Sequence, residues 1–240
     1  MSNKTAIVTG ASSGIGLAIA KALLSREYNV VATSRRVSHS GALPPSPRLV
    51  LVDGDVGERA TAERAVTSAE ASFGGVDLLV NNAGIFLSKP FTDYTGEDYE
   101  RLLATNLAGF FHMTQLALNV MVRTRRGHVV NIGTSLSQQP VAGVPSALPI
   151  LIKGGIEAAT RSLAIEYAPH GVRVNTIAAG IIDTPMHAVE HHEFLRQLSP
   201  THRLGSAADM ADAVLFLDDA SFVSGQILHV DGGAHAGKWA

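Results

Sequence analysis

Short β-branched runs and longer amphipathic stretches alternate along this chain. The runs lie at Thr5–Thr9, Asn29–Ser34, Leu49–Val52, Val76–Asn81, His128–Ile132, Val172–Ile177 and Ile227–Val230. Helical patterns lie between them, at Gly14–Ser25, Glu58–Phe73, Asp98–Arg125, Lys153–Tyr167 and Ala207–Leu217. Strands spaced by helices in this way predict right-handed βαβ units on a parallel sheet. Val76 to Val80 is almost wholly apolar, as a strand buried on both faces would be. The pattern therefore predicts a single α/β domain over residues 1–240, with seven parallel strands in a three-layer α/β/α arrangement.

Two stretches interrupt the alternation. Ser38–Pro47 carries Pro44, Pro45 and Pro47 and reads as a loop, because proline lacks the N–H and clashes inside a helix. Ala178–Gly205 is too long for a turn. Ligands of parallel sheets sit outside the carboxyl ends of the strands, so the insertion at about residues 183–205 reads as a substrate lid.

Composition narrows the function. The 240 residues fit one core, and a hydrophobic fraction of 46% can fill it. Lys plus Arg number 19 against 21 Asp plus Glu, a balance with no electrostatic reason for a nucleic-acid partner. Absence of cysteine excludes disulfides, thiolate nucleophiles and cysteine-ligated zinc. No apolar run reaches the ~18 residues of a membrane span, and no apolar leader precedes Lys4. The expectation is a cytoplasmic protein that acts on small molecules.

Candidate chemistry begins directly after the first run. Gly10, Ser12, Ser13, Gly14, Ile15 and Gly16 join a strand to a helix. Glycines there let the backbone turn tightly and approach a pyrophosphate, and the helix start offers free N–H groups. Tight strand–helix packing would explain the same glycines. There is no Lys-Ser/Thr ending of the kind that marks a nucleoside-triphosphate loop. The second run ends in Ser34-Arg35-Arg36 without an acid. A carboxylate there would bind a ribose 2′-hydroxyl, whereas arginine accepts a 2′-phosphate, so NADP(H) is expected ahead of NAD(H). Asp55 either receives the adenine amino group or caps the next helix.

Thr9-Gly10-Ala11-Ser12-Ser13-Gly14-Ile15-Gly16, Asn81-Asn82-Ala83-Gly84, Asn106, Asn131-Ile132-Gly133-Thr134, Lys153 and Val230-Asp231-Gly232-Gly233 together resemble the short-chain dehydrogenase/reductase family over almost the whole chain. The resemblance implies a Rossmann-type domain that transfers hydride between a nicotinamide cofactor and a carbonyl, hydroxyl or related group. It implies cofactor contacts at Val56, Asn82, Ala83, Gly84, Lys153, Gly180, Ile182 and Thr184. It also implies an Asn-Ser-Tyr-Lys tetrad, in which tyrosine is the acid/base. Asn106 and Lys153 match the asparagine and lysine, and Thr134 matches the serine by position. The tyrosine position, four residues before Lys153, holds Pro149, which has no proton to give. Thr134 stands 15 residues before Pro149, slightly more than the family interval.

Two classes of function follow. One is a reductase without a phenolic acid, for which a preformed iminium ion is a better acceptor than a plain ketone. The other is a dinucleotide-binding sensor, scaffold or partner subunit without turnover. Tyr94 and Tyr99 lie in a segment that could approach the site mouth. A helix over Ala188–Leu198 would place His187 and His191 on one face, as substitute acids or as part of a polar lid surface. No metal site is expected, since the glutamates among them do not fit a His-Glu-x-x-His spacing. Phe86, Leu87, Leu136, Phe194 and Leu195 are candidates for the pocket wall. Trp239, the one tryptophan, is the last residue but one, and family members bury this tail between subunits, so a homotetramer is expected, with a dimer as the lesser form.

Overall fold

The computed structural model describes residues 3–187 and 191–237. The strands are β1 (Thr5–Thr9), β2 (Asn29–Ser34), β3 (Leu49–Asp53), β4 (Leu78–Asn81), β5 (Gly127–Thr134), β6 (Val172–Ala179) and β7 (Ile227–Val230). They form one all-parallel sheet in the order β3-β2-β1-β4-β5-β6-β7. This is the three-layer architecture that the alternation predicts.

Successive strand residues point to opposite faces, and both faces are covered. Ala6, Val8, Val30, Leu78, Val80 and Ile177 pack beneath α1 (Gly14–Ser25) and α7 (Ala207–Asp219). Ile7, Val31, Leu79, Val129 and Val174 pack on the other face, beneath α2 (Arg59–Phe73) and α4 (Gly109–Thr124). Each fully buried aliphatic side chain contributes ~1.5–3 kcal/mol relative to exposure.

Several strand and helix ends shift by one or two residues from the sequence reading, and three helical segments differ by more. The Asp98–Arg125 pattern is α3 (Gly96–Leu102), a π-helical turn at Leu103–Ala108, and α4. A π turn keeps the apolar stripe nearly in register, so periodicity alone reads it as one helix. The Lys153–Tyr167 pattern begins earlier, as α5 (Ala147–Tyr167), which puts Pro149 in the first helical turn. Proline is tolerated there because the first N–H groups have no partner within the helix. In the lid, the helix is only α6 (His192–Gln197), and residues 188–190 of the expected helix lie outside the described residues. The prolines of the second-strand loop behave as expected, with one short 3-10 turn at Val37–His39.

At the amino ends of the strands, polar groups satisfy one another. Asp218 accepts hydrogen bonds from Lys4 (2.8 Å) and Tyr28, and His128 Nδ1 lies 3.3 Å from it. Asn175 Nδ2 donates to His128 Nε2 at 3.0 Å, and Arg173 donates to the Leu217 carbonyl at 2.8 Å. Burial lowers the His128 pKa to about 4, despite the opposing pull of Asp218. Burial also opposes ionisation of Asp218, but the donors from His128, Lys4 and Tyr28 hold it below the usual carboxylate range. Among the described residues, no helix is long and apolar enough to cross a membrane.

Candidate active site

The carboxyl ends of the strands carry a different surface. The sheet order reverses between β1 and β4, which opens a crevice there. Thr9 Oγ1 accepts from the backbone N–H groups of Asn82 and Ala83, both at 2.9 Å, and Asn82 Nδ2 donates to the Thr9 carbonyl at 2.8 Å. These bonds lock the β1 and β4 turns side by side. Gly10 has φ +68°, and a Cβ on it would fall 2.8 Å from Asn82 Nδ2. The turn therefore needs glycine for conformation and for space. Ser13, the residue before α1, makes no side-chain capping bond, and the first turn of α1 holds no acid, so its N–H groups face the crevice uncapped.

A cavity of about 950 Å³ runs along this edge. Ser12, Ser13, Gly14, Ile15, Ser34, Arg35, Arg36, Asp55, Val56, Asn82, Ala83 and Gly84 line it, as do Gly10, Gly180, Ile182 and Thr184. Gly16 is the exception. It lies buried beneath the loop, where a Cβ would fall 2.4 Å from the Gly10 carbonyl, so its role is strand–helix packing. Asp55 Oδ1 accepts from Gly57 N at 2.8 Å, which makes it a turn former ahead of α2.

The features present fit a dinucleotide. The hydroxyls Thr33 Oγ1 and Ser34 Oγ are buried at the end of β2 without a hydrogen-bond partner. Arg35 and Arg36 stand beside them, exposed, while the ion pairs among the described residues engage other arginines. Unpartnered donors next to uncapped helical N–H groups suit phosphate oxygens. When bound, the nicotinamide supplies or accepts hydride.

The other half of the cavity holds Thr134 and Lys153. Thr134 ends β5, and its Oγ1 accepts weakly from Leu136 N at 3.3 Å. Lys153 projects from α5 and donates to the carbonyls of Ile132 at 3.1 Å and Gly133 at 3.4 Å. Burial lowers its pKa to about 8, with the Glu157 carboxylate opposing the shift. Glu157 is itself buried one turn further along α5 and accepts a hydrogen bond from Ser137.

Asn106 does not line the cavity. It sits buried in the π turn, where Oδ1 accepts from Ile85 N at 2.8 Å and Nδ2 donates to Ile85 O at 2.9 Å. Its side chain is thus committed to holding the segment after β4 in place. Pro149 is also buried and off the lining. No tyrosine among the described residues reaches the cavity. Tyr94 donates to the Leu87 carbonyl at 2.7 Å, and Tyr99 is exposed.

The lid is stitched at its base by a parallel bridge between Ile182 and Gly205. Phe86, Leu136 and Leu195 line the cavity as expected, but Leu87 packs against the cluster of Leu102, Leu148, Ile152 and Ile156, and Phe194 is exposed. His187 and His191 do not share a helix face: His187 lies in a bend and lines the cavity, whereas His191 precedes α6 and is exposed. Burial first, then His192, lowers the His187 pKa, with Asp183 opposing. Sequence reasoning missed Val141, Val144, Met186, Leu198 and Asp231, which also line the cavity. Only Asp231, in the closing Val-Asp-Gly-Gly motif, carried a signal; the others are apolar residues in irregular segments.

Comparison with known proteins places this geometry. The profile of the family described as enoyl-(acyl carrier protein) reductase matches residues 10–235. The chain belongs to the short-chain dehydrogenase/reductase family. It is 36% identical over 249 residues to a 3-oxoacyl-(acyl-carrier-protein) reductase of Vibrio cholerae, covering 98% of each chain. A 3-ketoacyl-(acyl-carrier-protein) reductase from Brucella melitensis complexed with NADH superposes with a TM-score of 0.90 at 28% identity, over 98% of this chain and 99% of that one. A gluconate 5-dehydrogenase from Burkholderia cenocepacia in complex with NADP and tartrate gives 0.89 at 28% identity, over 99% and 97%. The chain is accordingly an NAD(P)-dependent short-chain oxidoreductase for small organic substrates.

Proposed function

We propose that the chain is an NADP(H)-preferring oxidoreductase in which Pro149 occupies the place of the family's tyrosine, so that hydride transfer runs without a phenolic acid. The observation that carries the cofactor choice is the end of β2. There Arg35 and Arg36 flank the unpartnered hydroxyls of Thr33 and Ser34, and no carboxylate occupies the position. Gly10, Ser12, Ser13, Gly14 and Ile15 would hold the pyrophosphate. Thr184 and Ile182 would hold the nicotinamide end, with Lys153 beside it. Thr134 would orient the substrate.

Calorimetric titration tests this reading. NADPH is expected to bind more tightly than NADH, and Arg35→Ala should weaken NADPH selectively by ~1–3 kcal/mol, the worth of a charged hydrogen bond. Equal affinity for both nucleotides would remove the assignment. With position 149 unable to donate a proton, an iminium ion is expected to be reduced faster than a plain ketone. A sensor or scaffold role is the alternative that Pro149 favours, and it predicts binding of NADPH without turnover of either acceptor.

Self-association as a homotetramer is part of the proposal. Phe111 on α4 and Leu151 and Ile165 on α5 are exposed apolar side chains, as are Phe216 on α7 and Phe222 beyond it. A second copy of the chain would cover them. Trp239 lies outside the described residues. Light scattering at micromolar concentration should give four subunits, and a monomer would exclude the assembly.

A further inference from the structure

We infer that Lys153 itself is the proton donor when this protein reduces a carbonyl, acting directly on the substrate oxygen. The inference rests on the proposed oxidoreductase reading and goes beyond it by naming the acid.

The geometry carries the argument. Lys153 lines the cavity beside Thr134, on a helix fixed against the end of β5. Two of its three hydrogens point at the carbonyls of Ile132 and Gly133. The third remains for the cavity. The residue one turn earlier is Pro149, which is buried off the lining and places no side chain between the ammonium and a substrate. Every other candidate acid is worse placed. Tyr94 is spent on a backbone carbonyl. Tyr28 is bonded to Asp218 at the opposite end of the sheet. Thr134 is too weak an acid to give up a proton near neutrality.

His187 is the remaining cavity group with a transferable proton, and its ring is shifted toward the neutral form by burial and by His192. A neutral imidazole at pH 7 is the wrong protonation state for a donor. Lys153, lowered to about 8, is still charged at pH 7 and far more acidic than an ordinary ammonium. Of the titratable groups around it, Glu157 on its own helix acts on it electrostatically, and His187 on the lid and Asp231 after β7 line the same cavity.

The step balances. The carbonyl carbon gains hydride from the reduced nicotinamide, and the C=O π pair moves to oxygen. That oxygen takes a proton from Lys153 Nζ. The neutral amine recovers its proton from water entering the open cavity. An iminium acceptor needs no such proton, because the π pair ends as a nitrogen lone pair.

The experiment compares the wild type with Lys153→Arg, which keeps a cation but cannot deprotonate near neutral pH. Both are assayed with NADPH on a small activated diketone and on a preformed N-methylated cyclic iminium ion. A loss in cofactor hold lowers both rates together, so the readout is their ratio. The ketone-to-iminium ratio of kcat/KM is expected to fall at least 30-fold in the variant. In the wild type, ketone kcat/KM should decline above pH 8 while the iminium profile stays flat. A second measurement needs no turnover: acetylation of Lys153 in the NADPH-free protein, followed by peptide mass spectrometry across pH, should show a midpoint near 8.

An unchanged ratio, a ketone pH profile that survives Lys153→Arg, or an acetylation midpoint above 10 would overturn the inference. So would collapse of the ratio in His187→Asn with Lys153 intact. Failure to bind NADPH, or absence of turnover on both acceptors, would instead overturn the oxidoreductase reading on which it rests.

Discussion

At the amino ends of β1, β2, β5 and β6, Asp218 is held by Lys4, Tyr28 and His128, and His128 is held in turn by Asn175. At the carboxyl ends of the same sheet, Arg35 and Arg36 are exposed, Thr33 and Ser34 keep unpartnered hydroxyls, and Lys153 spends its hydrogen bonds on two backbone carbonyls alone. Both ends take polar groups out of water. One end satisfies them within the fold, which turns the cost of burial into cohesion. The other leaves hydrogen-bonding capacity open toward a cavity, where a ligand can complete it. The same desolvation that makes His128 a neutral structural group makes Lys153 an acid poised near neutral pH.

The comparison can be broken most severely at Asp218. Asp218→Ala removes the common partner of Lys4, Tyr28 and His128 and should cost ~3–5 kcal/mol of stability, as breaking a buried charge network does. Urea unfolding measures the loss. NADPH affinity of the folded fraction should stay within twofold, because the cavity lies at the opposite sheet edge. A large fall in affinity would mean that the two ends are coupled.

Acid should act next, and through His128. Its pKa is near 4 in the fold and about 6.5 when unfolded, so the unfolded chain binds more protons between those values. The stability contributed by neutral His128 is fully present above pH 6.5 and is lost as pH falls toward 4, by up to about 3 kcal/mol at 1.36 kcal/mol per unit. Asp218, held low, adds a further loss below the ordinary carboxylate pKa near 3.9. Unfolding curves at stepped pH should show the first decline, and His128→Asn should flatten it between pH 4 and 6.5. A decline that survives the substitution would assign the acid sensitivity elsewhere.

The smallest expected effect sharpens the catalytic end. Pro149→Tyr places a phenol one helical turn from Lys153, where a neighbouring cation favours ionisation. General acids of this kind contribute ~10²–10⁴-fold, but Pro149 is buried, and overpacking should cost ~1–3 kcal/mol. The net expectation is at least a tenfold gain in ketone kcat/KM at equal folded concentration. A folded, NADPH-binding variant without a gain would place the defect in the Thr134 spacing or in the pocket wall.

Much of this molecule was readable from its residues. Strand–helix alternation was enough to predict seven parallel strands, because each face of a buried strand needs apolar cover and the periods 2 and 3.6 mark it. The glycine turn after β1 and the Arg35-Arg36 pair could be named for their chemistry and Lys153 by the family resemblance, and Gly10, Ser12, Ser13, Gly14, Ile15, Arg35, Arg36 and Lys153 all line the cavity. Tertiary structure decided what those signals leave open. Gly16 supports the turn from beneath, Asn106 grips Ile85, and His187 and His191 part company because α6 starts only at His192. Apolar wall residues such as Val144 and Leu198 carry no local mark that separates a pocket from a core. Residue type and spacing fix local conformation and candidate chemistry, whereas burial, side-chain direction and the identity of a partner depend on what the rest of the chain brings alongside.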